Sequence, residues 1–312
     1  MIVKILKPVN GFPGVRYNTN KVERNKGELL KIANFGPLQG LTGLRPQDYI
    51  NYLKLLSAQN KRVSKPQFHA VISAKGATYN KQELMRTGQS WLEQMGFGAQ
   101  PYLIVFHKDT DNNHIHLVST RVDREGKKIN SAYEKLRAID ALQATLGYKY
   151  GMQYRFSTVA QFYLLLEKAG FEGRDMNLDK LGKRIAEHRP DRERANAIRQ
   201  ILLRHQGRPD LSGYLSEQHR LDLIFHAAPG RAPYGYTIID HETMQVFKGS
   251  EVLSLRELRT DHGELRAEHS TGAGTHQPAI TTPGVWIAND VDDEAVLGRN
   301  RRKKKKARTN TR

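Results

Sequence analysis

The sequence predicts an α/β chain in which helices and strands interleave around at least one antiparallel hairpin, and three observations predict it. Residues 66–74 and 114–122 alternate side-chain character with the period of two that strands require. Residues around 46–56, 81–95 and 132–147 instead repeat their apolar positions with helical spacing. Two apolar runs, 101–107 and 114–122, are joined by KDTDNN, whose Asp and Asn residues suit a tight connection.

Taken in order, IVKIL (2–6) reads as a short strand. Gly11 to Gly14, with Pro13, read as a turn that presents Arg16, Tyr17 and Asn18. Pro46 opens a helix carrying Tyr49, Ile50, Leu53 and Leu56. The strand at 66–74 sets His69, Val71 and Ser73 on one face and Phe68, Ala70 and Ile72 on the other. A helix over 81–95 follows, with Leu84, Trp91 and Leu92 on one stripe, and Gly96 and Gly98 end it. After the 101–122 hairpin, a helix over 132–147 closes a first domain, placed at 1–155. An accessory segment, 156–265, reads as helical through residue 228, followed by a hairpin at 234–249 that turns at His241 to Met244. From 266 to 312 the Gly/Thr/Pro-rich and then basic composition predicts a disordered tail.

Composition narrows the function. The 312 residues include no Cys, which excludes disulfides, thiol nucleophiles, Cys-based zinc sites and iron–sulfur clusters. Hydrophobic residues make up 38%, enough for a real core, and no run approaches a membrane span, so a cytoplasmic protein is expected. The net charge of +18 is unevenly spread: +13 over residues 1–155, −4 over 156–298 and +9 over 299–312. A basic first domain and a basic tail point to a polyanionic partner, DNA above all.

The chemistry concentrates in one stretch, His107-Lys-Asp109-Thr-Asp111-Asn112-Asn113-His114-Ile-His116. Strand alternation sends His114 and His116 to one face, and His107 ends the neighbouring strand beside the same turn, so three imidazoles meet at one point and hold a divalent metal. Nitrogen ligands suit Mn, Co, Ni, Cu and Zn, and open positions on such an ion polarise phosphate. Asp109 and Asp111 are placed to accept the second ring N–H of a ligand histidine or to cap the turn. Arg16, Lys21, Arg24 and Lys26 surround Tyr17 and offer charge to a DNA backbone.

The pattern His-x-Asp-Thr-x-Asn-x-His-x-His, with GVRYNTNKV upstream and FHAVISAKG between, resembles the conjugative relaxases or mobilisation nucleases of the MobP type, in the HUH endonuclease superfamily. The segment GFGAQPYLIVFHKDTDNNHIHLVSTRV resembles relaxases of Bacteroides-type mobile elements. The resemblance is close over residues 1–155 and looser over YGYTIIDHETMQVFKGSEV. It implies a two-layer sandwich with a mainly antiparallel sheet, the histidine strand at its centre, and a helical C-terminal segment bearing a β-hairpin. It further implies that Tyr17 is the nucleophile, with Ser73 and Asp109 assisting catalysis and His69, Asp111 and Asn112 supporting the metal ligands. The implied activity is metal-dependent nicking of one DNA strand at an origin of transfer, through a 5′-phosphotyrosine. Mg or Mn is the ion expected in use, with Zn, Ni or Co as alternatives. Accessory mobilisation proteins and a type IV coupling protein are the implied partners. Two other readings stay open: a rolling-circle replication initiator, whose nucleophile would be Tyr148 or Tyr150, and a non-catalytic basic DNA-binding protein.

Overall fold

A computed structural model describes residues 1–259, which form two compact units, 1–146 and 147–259. The first contains β1 (Ile2–Ile5), α1 (Pro13–Glu23), β2 (Gly27–Ala33), α2 (Pro46–Ser57), β3 (Gln67–Ser73), α3 (Lys81–Gln94), β4 (Tyr102–His107), β5 (His114–Thr120) and α4 (Glu134–Thr145). Its five strands lie in the order β1-β3-β5-β4-β2, and every neighbouring pair is antiparallel. The histidine-bearing β5 is thus the central strand, as expected. Every residue of β3, β4 and β5 is buried, whereas the edge strands β1 and β2 are part-exposed.

Both faces of this sheet are covered. Leu103 and Val118 pack with Phe12, Val15, Phe35, Tyr49, Ile50 and Leu53 from α1, α2 and their flanking turns. Ile104, Ile115 and Leu117 point the other way, against α3. That helix starts at Asn80, whose side chain accepts from the Gln82 and Glu83 amides while Glu83 returns a bond to the Asn80 amide, a complete capping box.

Of the stretch from Gly11 to Gly14, expected as a turn, Gly11 and Phe12 lead into α1, and Pro13 and Gly14 are already helical. Phe12 takes a left-handed conformation (φ 57°) and Pro13 occupies the first helical position, where its missing N–H costs nothing. Tyr17 therefore sits one turn into a helix. Strand β2 was not expected at all; it pairs along β4 as an edge strand.

The second unit comprises α5 (Tyr148–Gly151), α6 (Val159–Lys168), α7 (Leu178–Ala186), α8 (Arg192–His205), α9 (Leu211–His219), β6 (Leu221–His226), β7 (Gly235–Asp240), β8 (Gln245–Lys248), α10 (Gly249–Val252) and α11 (Leu255–Arg259). The unit begins ahead of residue 155 because α5 packs on α6, with the Tyr148 and Phe162 rings 6.3 Å apart. Strands β6, β7 and β8 form an antiparallel sheet in that order. The expectation of helix through residue 228 fails at β6: Leu221 and Leu223 face the core while Asp222 and Ile224 are part-exposed, a period of two. The core joins Ile198 and Leu202 of α8, Leu211 and Leu215 of α9, and Ile238 and Phe247 of the sheet. Asp240, buried completely, is held by the Arg194 guanidinium at 2.7 Å. The tail expected from residue 266 lies outside the described residues.

Candidate metal centre and active site

Antiparallel pairing places His107 and Ser73 on either side of His114, and Val105 and Val71 on either side of His116. Residues opposite one another share a face, so His69, Ser73, His107, His114 and His116 all project to the same side of the sheet. All five are buried, at 5% exposure or less. A nitrogen of each of His107, His114 and His116 lies within 4.8 Å of the other two. The His107 and His116 rings stack with centroids 4.1 Å apart.

Each of these rings uses one nitrogen on a protein partner. Asn18 donates its amide NH2 to the Gly14 carbonyl at 2.7 Å, which turns its carbonyl oxygen toward His107 Nε2 at 2.8 Å. That oxygen only accepts, so His107 carries its proton on Nε2 and presents Nδ1 as a lone pair. His114 Nδ1 donates to the Asn112 carbonyl at 2.8 Å, leaving Nε2. His116 Nδ1 meets His69 Nε2 at 2.9 Å, again leaving Nε2.

The electrostatics keep His69, His107 and His116 neutral. Burial pushes His69 and His107 down to about 3, and for His107 the neighbouring His114 and Lys21 add to the effect. Burial first, then His107 and His69, also holds His116 far below the ordinary imidazole value. Three imidazoles with one open nitrogen apiece fit a divalent cation, because metals bind an unprotonated ring nitrogen.

Helix α1 lies over this face. Gly14 permits the close approach: its amide donates to Gln67 Oε1 at 2.8 Å, and a Cβ there would stand 2.7 Å from His69 Nδ1. The Tyr17 ring is 5.6 Å from that of His107 and 5.7 Å from that of His116. One helical turn further on, Lys21 places its ammonium 5.6 Å from the Tyr17 ring and pairs with Asp109. Burial alone would lower the Lys21 pKa, but the hydrogen bond to Asp109 and the nearby Tyr17 outweigh it and raise it, so the cation is secure. The same pair holds Asp109 below the usual carboxylate range despite partial burial.

The sequence-derived site residues thus fall into two groups. Tyr17, Lys21, Asp109, His69, Ser73 and the three histidines converge; Asn112 joins through its main-chain oxygen, its side chain accepting instead from the Gly76 amide. Asp111 is exposed and takes no ring N–H; the turn puts the Asn112 carbonyl in that role, and neither aspartate holds a histidine. Arg16 turns to Gln47 of α2, while Arg24 and Lys26 stand exposed at the end of α1. Asn18 was missed. Its only signal was adjacency to Tyr17, since nothing in GVRYN shows a helix that aims residue 18 inward.

A pocket of open imidazole nitrogens under a phenol and an ammonium has the donor set of a divalent-metal site. Residues 17–152 match the family model described as Relaxase: MobA/VirD2-like, nuclease domain. The match supports a relaxase or mobilisation nuclease over this stretch. No curated protein and no solved structure matches the chain. Among the described residues no helix is long and apolar enough to cross a membrane.

Proposed function

We propose that this chain nicks one strand of DNA at an origin of transfer, using Tyr17 as nucleophile, and so initiates mobilisation of a plasmid or other mobile element in the cytoplasm. The observation that carries the proposal is the Tyr17 ring lying within 6 Å of both His107 and His116 in a relaxase-type domain. Accessory mobilisation proteins and a coupling protein are the partners such a reaction calls for.

A phenol, with a pKa near 10, is a weak nucleophile at neutral pH. The Lys21 ammonium, secured by Asp109, favours the phenolate and attracts the scissile phosphate. Tyr17 Oη forms its bond to phosphorus as the bond from phosphorus to the 3′ oxygen breaks. The phenol gives up one proton and the 3′ oxygen gains one, leaving a 5′-phosphotyrosine and a 3′-OH. His107, His114 and His116 would hold the cation, and that ion, when bound, neutralises the non-bridging phosphate oxygens. An all-nitrogen set favours Mn, Co, Ni or Zn over Mg, which prefers oxygen. Ser73, beside His114, is positioned to contact the DNA near that phosphate.

Incubating the protein with Mn and a single-stranded oligonucleotide carrying the origin should yield a covalent adduct that maps to Tyr17 and is absent in Tyr17→Phe. An adduct at Tyr148 or Tyr150 would overturn the assignment and indicate a replication initiator.

A further inference from the structure

The second unit carries a ring cluster that its fold does not use. Where the C-terminal end of α8 meets α9, His205 and Tyr214 lie 4.7 Å apart, Tyr214 and His219 5.6 Å, and His205 and His219 5.9 Å. The Arg208 guanidinium sits 4.0 Å over the Tyr214 ring. The apolar core of the unit takes Leu202, Leu211 and Leu215 from the same two helices, and none of the three rings belongs to it. All three rings are part-exposed, and Arg204 and Arg208 are exposed.

Two further observations show that the cluster is unfinished. His219 Nε2 is buried without a hydrogen-bond partner, as is Oε1 of Gln206, the residue after His205, a costly condition unless a ligand or water completes them. The charge is also local and opposed to its surroundings. Residues 156–298 carry a net −4, yet Arg204 and Arg208 gather at the rings, and Asp210 is occupied in capping α9. Arg204 and Arg208 both lower the His205 pKa, after burial and His219, which places both cations beside that ring.

Resting on the reading that the chain works on single-stranded DNA, we propose that the α8–α9 end is a second strand-binding platform, in which Tyr214, His205 and the Arg208 plane stack unpaired bases while Arg204 and Arg208 hold phosphates. Stacking on a phenol or guanidinium tolerates any base, and it requires bases free of a duplex. The platform is therefore a holding site that reads strandedness and not sequence. Paired bases present no face to it, so duplex DNA meets only the two arginines.

The test uses the full chain with Tyr17→Phe, which removes cleavage from the readout, and a 5-iododeoxyuridine oligonucleotide unrelated to any origin. Ultraviolet crosslinking followed by peptide mapping should mark Tyr214 or His205. Tyr214→Phe should keep the crosslink, and Tyr214→Ala should weaken single-strand affinity by about 10-fold with little change for duplex. Arg204→Gln with Arg208→Gln, both exposed and safe for folding, should reduce the slope of log affinity against log salt by about 1.4. A ribonucleotide strand should crosslink at the same residues. Absence of crosslinks between residues 204 and 219, or equal loss for duplex and single strand, would overturn the platform. A failed Tyr17 adduct in the parent protein beside a preserved Tyr214 crosslink would overturn only the nicking reading.

Discussion

His241 in the second unit and the three histidines of the first show what separates a structural imidazole from one left open to a metal. His241 accepts from the Tyr154 hydroxyl at Nδ1, 2.7 Å away, and engages Asp222 through Nε2 at 2.9 Å. Ser216 donates to the other Asp222 oxygen and Tyr150 meets Tyr154, so a continuous line of bonds ties β6 to the β7–β8 turn. Nothing on that ring remains for a ligand. His107, His114 and His116 are more deeply buried, yet each spends only one nitrogen on the protein. Burial and residue type do not distinguish the two cases; the number of committed nitrogens does.

The strongest way to break this contrast is to remove ligands on one side and the structural ring on the other. His114→Ala combined with His116→Ala should lower Mn or Ni affinity by about 100-fold or more in titration calorimetry, whereas His241→Ala should leave it unchanged. Equal metal affinity in all three proteins would dissolve the distinction.

Acid provides a second test. In the unfolded chain the imidazoles titrate near the ordinary value of about 6.5, while in the folded protein His69 and His107 titrate at about 3. Between those values the unfolded state binds more protons, so metal-free protein should lose stability progressively as pH falls from 6.5 toward 3. Replacing His69 and His107 with Gln should flatten that dependence in denaturant melts at several pH values. An unchanged profile would show that these rings are not held neutral by the fold.

The smallest effect sharpens the tautomer argument. Asn18→Leu removes the acceptor that fixes the His107 proton and should reduce metal affinity about 10- to 100-fold without altering any ligand. Asn18→Asp, which keeps an acceptor oxygen, should recover most of it. Indifference to both changes would mean that His107 Nε2 needs no guide.

The legible parts of this molecule were those governed by strict periodicity. His114 and His116 share a face because strands alternate, and KDTDNN had to be a short connection, so the hairpin and its histidines followed from a dozen residues. Leu84, Trp91 and Leu92 marked α3 for the same kind of reason. What was illegible depended on tertiary context. Helix α1 lacks a side-chain cap, and its Gly-Phe-Pro-Gly start has the composition of a turn; only packing of Phe12 and Val15 under α2 makes it a helix. Strand β2, GELLKIA, has no clean alternation because it is an edge held by β4. Asn18 could not be recognised until α1 was known to be helical, and Asp111 drew attention through its charge although the adjacent main chain performs the bonding.

Gly14 contributes no charge, no proton and no ligand atom, yet the geometry of the candidate site passes through it. A single methyl group in that place would intrude on His69 and Gln67, and the accommodation would be a retreat of α1 from the sheet. Tyr17, Asn18 and Lys21 would withdraw together, each chemically intact. The vulnerability of such a site to inherited change is therefore displaced: its most sensitive position is a spacer, silent in any inventory of reactive groups.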